Sequence, residues 1–128
     1  MNKKYLETSK ALLEFIEQSP TAFHAVHNCK KQLEQAGFQE LTEQQEWKLE
    51  LGGKYYVTRN GSAVMAFVLP AGRKEESLMI KGVHAMAAHS DSPCFKLKTN
   101  PEQKAEEYYL KLNVEKYGGM ILSTWLDR

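Results

Sequence analysis

The sequence predicts a mixed α/β fold on three observations: helical spacing of apolar residues near the start, an Asn-Gly turn between two strand-like runs, and alternation of apolar and polar residues after residue 93. Its 128 residues are enough to bury about two-thirds of the unfolded surface, the size of one ordinary domain. A hydrophobic share of 42% and a charged share of 26% exclude disordered and collagen-like chains.

Leu6, Leu12, Leu13, Phe15 and Ile16 recur at spacings that suit one helical face, so a first helix is expected to end near Gln18. Ser19-Pro20-Thr21 interrupts it, because proline suits a first turn and not a helix interior. Phe23, Val26, Lys30 and Leu33 then mark a second helix to about Ala36, with Gly37 at the left-handed C-terminal cap. Trp47 to Leu51 alternates until Gly52-Gly53, and Lys54 to Thr58, with Tyr55, Tyr56 and Val57, has high strand propensity. Asn60-Gly61 accepts the positive φ angles of a type I′ turn, and Ala63 to Leu69 returns as a strand expected to be buried on both faces. Ser77 to Ala88 reads as another buried strand, interrupted at Lys81-Gly82 and ending in the polar run His89-Ser90-Asp91-Ser92-Pro93. Cys94 to Lys98 alternates, Thr99 to Glu107 is expected to be a charged loop, and Tyr108 to Val114 alternates again before Gly118-Gly119.

Lys plus Arg number 17 against 16 Asp plus Glu, a net charge of +1 that gives no global attraction to nucleic acid or an anionic membrane. Cys29 and Cys94 form no CxxC pair, so neither a disulfide framework nor a cysteine zinc knuckle is expected and a reducing cytoplasm is the default. The first ten residues are too polar for a signal-peptide core, and no apolar run approaches the roughly 20 residues of a membrane span. The apolar stretch Ile121 to Leu126, close to the end, reads as a chain cut in mid-domain.

The most informative constellation is His89-Ser90-Asp91 at the end of a strand-like run. A metal-binding imidazole must be neutral and held in one tautomer, and a nearby carboxylate can orient it. Taken alone, a His and an Asp two residues apart more often make a polar loop contact. The wider context supplies more: His89-Ser90-Asp91-Ser92-Pro93-Cys94, preceded by Ile80-Lys81-Gly82 and followed by Tyr117-Gly118-Gly119 and Ser123-Thr124-Trp125-Leu126-Asp127-Arg128, resembles the aspartyl aminopeptidase family, metallopeptidase family eighteen. Leu13-Glu14-Phe15-Ile16 and Ser19-Pro20-Thr21-Ala22-Phe23-His24-Ala25-Val26 are similar to that family's opening helix and helix junction, so the resemblance covers nearly the whole chain.

The resemblance implies an α/β zinc-exopeptidase fold, with residues 1–98 as the N-terminal part of a catalytic domain, a mixed sheet with flanking helices, and residues 99–128 opening an inserted β-rich oligomerisation domain. It implies a zinc-dependent aminopeptidase that removes single amino-terminal residues from peptides at a site of two zinc ions. By motif match His89 is the expected ligand of one zinc, and Asp91 the catalytic carboxylate that orients it or polarises the site. Family members carry the bridging aspartate, the paired glutamates and the other ligands downstream of the Thr-Trp-Leu-Asp-Arg motif, so the 128-residue chain alone is expected to be inactive. The implied partners are peptide substrates and further copies of the chain, with no nucleic acid and no membrane. The rival reading is a truncated non-catalytic chain acting only as a structural or interaction module through sheet edges and exposed apolar surface.

Other candidates carry less. His84 and His89, five apart, point to opposite faces of a regular strand, which favours a core or loop role for His84. His24 and His27 share a helix face as a metal pair or a pH-sensitive contact, but without a third ligand they read as solvated. Cys94 lacks the orienting group and oxyanion hole of a thiol nucleophile. Gly118-Gly119 lacks a phosphate-loop pattern and suits a tight turn, and Tyr55, Tyr56, Tyr108 and Tyr109 are expected to pack or cover a sheet.

Overall fold

The computed structural model describes residues 3–72 and 82–124, which form a mixed α/β chain of helices and small sheets. It divides into two compact units, Met1–Asp91 and Ser92–Arg128.

In the first unit, helix α1 spans Lys3–Glu17 and α2 spans Ala22–Gln35. The junction between them is tied down by Asn28, whose Nδ2 donates to the Gln18 carbonyl at 2.9 Å and to Ser19 Oγ at 3.1 Å. Pro20 lies just ahead of the helix, and Thr21 is the N-cap, its hydroxyl accepting from the His24 N–H. The far end closes as the sequence predicts. Gly37 takes a φ of 79°, its N–H donates to the Glu34 carbonyl, and the Phe38 N–H reaches back to Leu33 at 2.9 Å, the Schellman arrangement. Lys54 Nζ donates to the Ala36 carbonyl at 3.1 Å, so a cation also meets the negative end of the helix.

Strands β1 (Gln39–Glu40), β2 (Lys54–Arg59) and β3 (Ala63–Val68) form one sheet in that order, with β1 parallel and β3 antiparallel to the central β2. Tyr55, Tyr56 and Val57 are buried in succession, because β2 is covered on both faces. Toward α2, Tyr56 donates to Glu34 Oε1 at 2.8 Å, with Lys30 over its ring. On the other side Tyr55 meets Phe67, which stacks on Trp47 at 6.2 Å. The alternating run from Trp47 is therefore a cover and not a strand; Tyr55 Oη accepts the Glu50 N–H at 2.9 Å and holds it there. Asn60 and Gly61 adopt φ of 52° and 64°, and the Ser62 N–H closes the turn on the Arg59 carbonyl.

Two expectations are corrected in this unit. The strand from Ala63 was expected to be buried on both faces, yet Met65 is 56% and Val68 58% exposed, since among the described residues β3 pairs with β2 alone. Apolarity fixes which faces want cover, not which element supplies it. The strand expected over Ser77 to Ala88 falls partly outside the described residues; from Gly82 to Ala88 the chain has no regular structure and is exposed, without a ladder to satisfy its backbone.

The second unit is an antiparallel hairpin of β4 (Cys94–Ala105) and β5 (Tyr109–Tyr117), ending in a turn of 3₁₀-helix at Leu122–Thr124. The charged loop expected from Thr99 to Glu107 is instead strand through Ala105, paired from Glu102, opposite Leu112, to Ala105, opposite Tyr109. Ladder bonds belong to the backbone, so charged side chains on an exposed hairpin do not prevent them. The register shifts between Leu97 and Glu102, where Lys98, Thr99, Asn100 and Pro101 stand opposite Asn113. Asn100 there takes a φ of 57°, and Pro101, which has no N–H to donate, sits where none is required. Gly118 has a φ of 79° and lies against Pro93, in keeping with its expected role as a turn residue.

Candidate functional site

His89, Ser90 and Asp91 close the first unit. His89 Nδ1 lies 3.0 Å from Asp91 Oδ1, and the imidazole is 91% exposed. An ionised carboxylate only accepts, so Nδ1 donates in this pair, and a neutral ring held this way keeps its lone pair on Nε2, the arrangement a metal-binding imidazole requires. Ser90, between them, donates from Oγ to the Ser62 carbonyl at 2.8 Å and so fastens the triplet to the β2–β3 turn. Residues Ala87 to Asp91 line an open hollow of about 430 Å³.

The other candidates do not join this group. His84 is exposed in the stretch without regular structure, the loop reading made for it. His24 is exposed with Nδ1 2.8 Å from Thr21 Oγ1, and His27 is exposed one turn later. Burial pushes the Cys29 thiol above its ordinary range, away from the thiolate a nucleophile needs. Tyr55 and Tyr56 are core residues as expected, whereas Tyr108 and Tyr109 are exposed. A second hollow, of about 410 Å³, lies between the end of α2 and Gly52-Gly53. Two of its polar groups are committed: Lys54 Nζ caps the helix and Tyr55 Oη accepts the Glu50 N–H.

Among the described residues no three His, Cys, Asp or Glu side chains stand close enough to hold a metal ion together. His89 with Asp91 therefore fits one ligand and its orienting carboxylate, short of the three protein ligands a catalytic zinc takes. The sequence locates that pair, but it contains no sign that Ser90 docks on Ser62. Asn60-Gly61 locates the turn, and nothing in the order of residues says which distant loop lands on it.

The Aminopeptidase I zinc metalloprotease (M18) family model matches residues 15–128. A relative from Clostridium novyi (strain NT), named "Probable M18 family aminopeptidase 2", is 49% identical over 126 residues, which are 98% of this chain and 28% of the relative. Among solved structures, Chaetomium thermophilum mApe1 superposes with a TM-score of 0.75 at 36% identity, over 93% of this chain and 26% of that one. The S. cerevisiae mApe1 dodecamer superposes with a TM-score of 0.74 at 30% identity, over 98% and 28%. The class thus defined is that of zinc-dependent aminopeptidases with a mixed α/β fold. The chain belongs to the Aminopeptidase I zinc metalloprotease family, M18, and spans about 28% of the length of the curated relatives it matches.

Proposed function

We propose that the chain supplies the N-terminal part of a zinc aminopeptidase that removes single amino-terminal residues from peptides at a dinuclear site. The observation that carries the reading is the His89–Asp91 hydrogen bond of 3.0 Å on a chain of this family. His89 offers Nε2 as one zinc ligand, and Asp91 fixes the ring's tautomer and raises its basicity. The chemistry that two zinc ions supply when bound is activation of a shared water and polarisation of the scissile carbonyl. The remaining ligands and the general base come from outside the described residues, so the chain by itself is catalytically inert.

The dodecameric yeast relative supports self-assembly of the complete protein. We assign the first unit to the catalytic part and the β-rich oligomerisation insertion to the chain beyond it; the compact division at Asp91–Ser92 keeps β4, which runs through residue 98, in one piece. Both cysteines are free thiols, which suits the cytoplasm. Among the described residues no helix is long and apolar enough to cross a membrane.

The test is a graft of this chain in place of the matching segment of the Clostridium novyi relative, assayed beside the isolated chain. The graft should release amino-terminal residues in a chelator-sensitive way, and the isolated chain should not. Chelator-sensitive release by the isolated chain would show that the site is complete without the rest. A folded graft without activity, beside an active parent, would favour the purely structural module.

A further inference from the structure

We propose that Asn60-Gly61, at the tip of the β2–β3 hairpin, is a site of covalent self-modification, at which the Asn60 side chain is lost as ammonia and water completes a conversion to aspartate and isoaspartate. The reactants are the chain itself and solvent water.

The step begins when the Gly61 backbone nitrogen gives up its proton to solvent base and attacks Asn60 Cγ. The new N–Cγ bond replaces the Cγ–Nδ2 bond, the amide leaves as ammonia, and a five-membered imide closes. Water then adds to one of the two imide carbonyls. Cleavage at Cγ restores the main chain with an aspartate, whereas cleavage at the Asn60 main-chain carbonyl routes the chain through Cβ and Cγ. Nothing is oxidised or reduced.

The turn meets the needs of this chemistry. Both residues are exposed, and among the described residues neither the Asn60 side chain nor the Gly61 N–H has a hydrogen-bond partner, so leaving group and nucleophile are unencumbered. Glycine has no Cβ to shield its nitrogen. Ring closure takes the Asn60 backbone out of its left-handed φ of 52°, and what opposes that is weak: the turn is closed by the Ser62 N–H on the Arg59 carbonyl at 3.2 Å, the long end of the N–H···O range. The other described asparagines each lack a requirement. Asn100 shares the left-handed backbone, with a φ of 57°, but Pro101 has no N–H to deprotonate. Asn28 lies inside α2 with its Nδ2 donating to Gln18 and Ser19, and Asn113 lies within β5 ahead of the β-branched Val114.

The isoaspartyl form carries one more main-chain atom between residues 60 and 61, so the two-residue type I′ turn no longer closes. Ser62 is affected on both sides, since its N–H donates to Arg59 and its carbonyl accepts from Ser90 Oγ at 2.8 Å.

The experiment ages the full chain at physiological temperature in H₂¹⁸O, so that conversion during ageing is told from conversion during digestion, and maps the peptides by mass and by isoaspartate methyltransferase labelling. Asn60 should convert ahead of Asn28, Asn100 and Asn113, with isoaspartate forming beside aspartate. Gly61→Ala should slow the conversion; the added Cβ lies 3.6 Å from Phe23, an ordinary contact, so the variant is accommodated sterically. Conversion of another of these asparagines first, aspartate without isoaspartate at residue 60, or an undiminished rate in Gly61→Ala would each overturn the inference. The purified isoaspartyl chain is then compared with Asn60→Asp, which has the same charge on an ordinary main chain. The Ser62 amide should exchange its hydrogen faster in the isoaspartyl chain, and equal rates would overturn the opening of the turn.

Discussion

A neutral imidazole has one nitrogen to donate and one to offer, and at His89 the division is made by Asp91, 3.0 Å from Nδ1. Each half can be removed separately. In the grafted enzyme His89→Ala deletes a ligand, so metal content and peptide hydrolysis should both fall. Asp91→Asn keeps the shape but removes the charge, and should cost about 10- to 100-fold in rate with a smaller loss of metal. His84→Ala should keep metal and activity, being an exposed loop residue. Elemental analysis with hydrolysis kinetics checks all three, and loss of metal from His84→Ala with retention in His89→Ala would identify the wrong histidine. This pair was legible in the sequence because its members are two residues apart, whereas the Ser62 carbonyl is a backbone atom with no residue type to betray it.

Central strand β2 is where side-chain chemistry governs stability. The Tyr56 phenol is held far above its ordinary range, first by burial and then by its hydrogen bond to Glu34. A raised acid pKa stabilises the fold fully below the unfolded value of about 10 and loses that stability as pH climbs through the folded value. Tyr56→Phe keeps the ring and drops the hydrogen bond, so it should cost about 1 kcal/mol near neutral pH and flatten the loss of stability above pH ~10. Denaturant titrations across that range measure both. Gly53 offers a steric test, since a Cβ there would collide with the Tyr55 ring that holds Glu50. Gly53→Ala should destabilise by about 1–3 kcal/mol, as overpacking does, and an unchanged urea midpoint would refute the contact. The elements most legible in sequence carried their own punctuation: Thr21 and Gly37 at the ends of α2, Asn60-Gly61 in the hairpin. Those misread depended on partners: β3 lacks a second neighbour among the described residues, and β4 continues through charged residues because β5 pairs with it.

Across the whole molecule the buried apolar core of the described residues is Val26, Tyr55, Tyr56, Val57 and Leu69. Leu12, Leu13 and Ile16 on α1, and Leu97, Leu110 and Leu112 on the hairpin, are more than half exposed. Apolar surface on that scale, together with open strand edges, drives association. The isolated chain should therefore sediment as oligomers whose size rises with concentration, and a monomer with a sharp thermal transition in calorimetry would contradict this. Family membership was readable from motifs in their order, while the exposure of these faces was not, because a sequence states which residues are apolar and not what lies over them.

The break in β4 at Lys98 to Pro101 bears on what kind of association is open to the chain. A fibril grows when each strand is a continuous template for an identical strand in register, all along its edge. Here the template is interrupted: a residue without an N–H and a left-handed Asn100 sit midway along the strand, so copies stacked edge to edge would lose their pairing at the same point in every layer. Growth along the hairpin edge should therefore not continue into fibrils. Aged samples should accordingly stay thioflavin-negative and lack the meridional reflection at about 4.7 Å, and Asn100→Thr combined with Pro101→Val should be the change that lets fibres form.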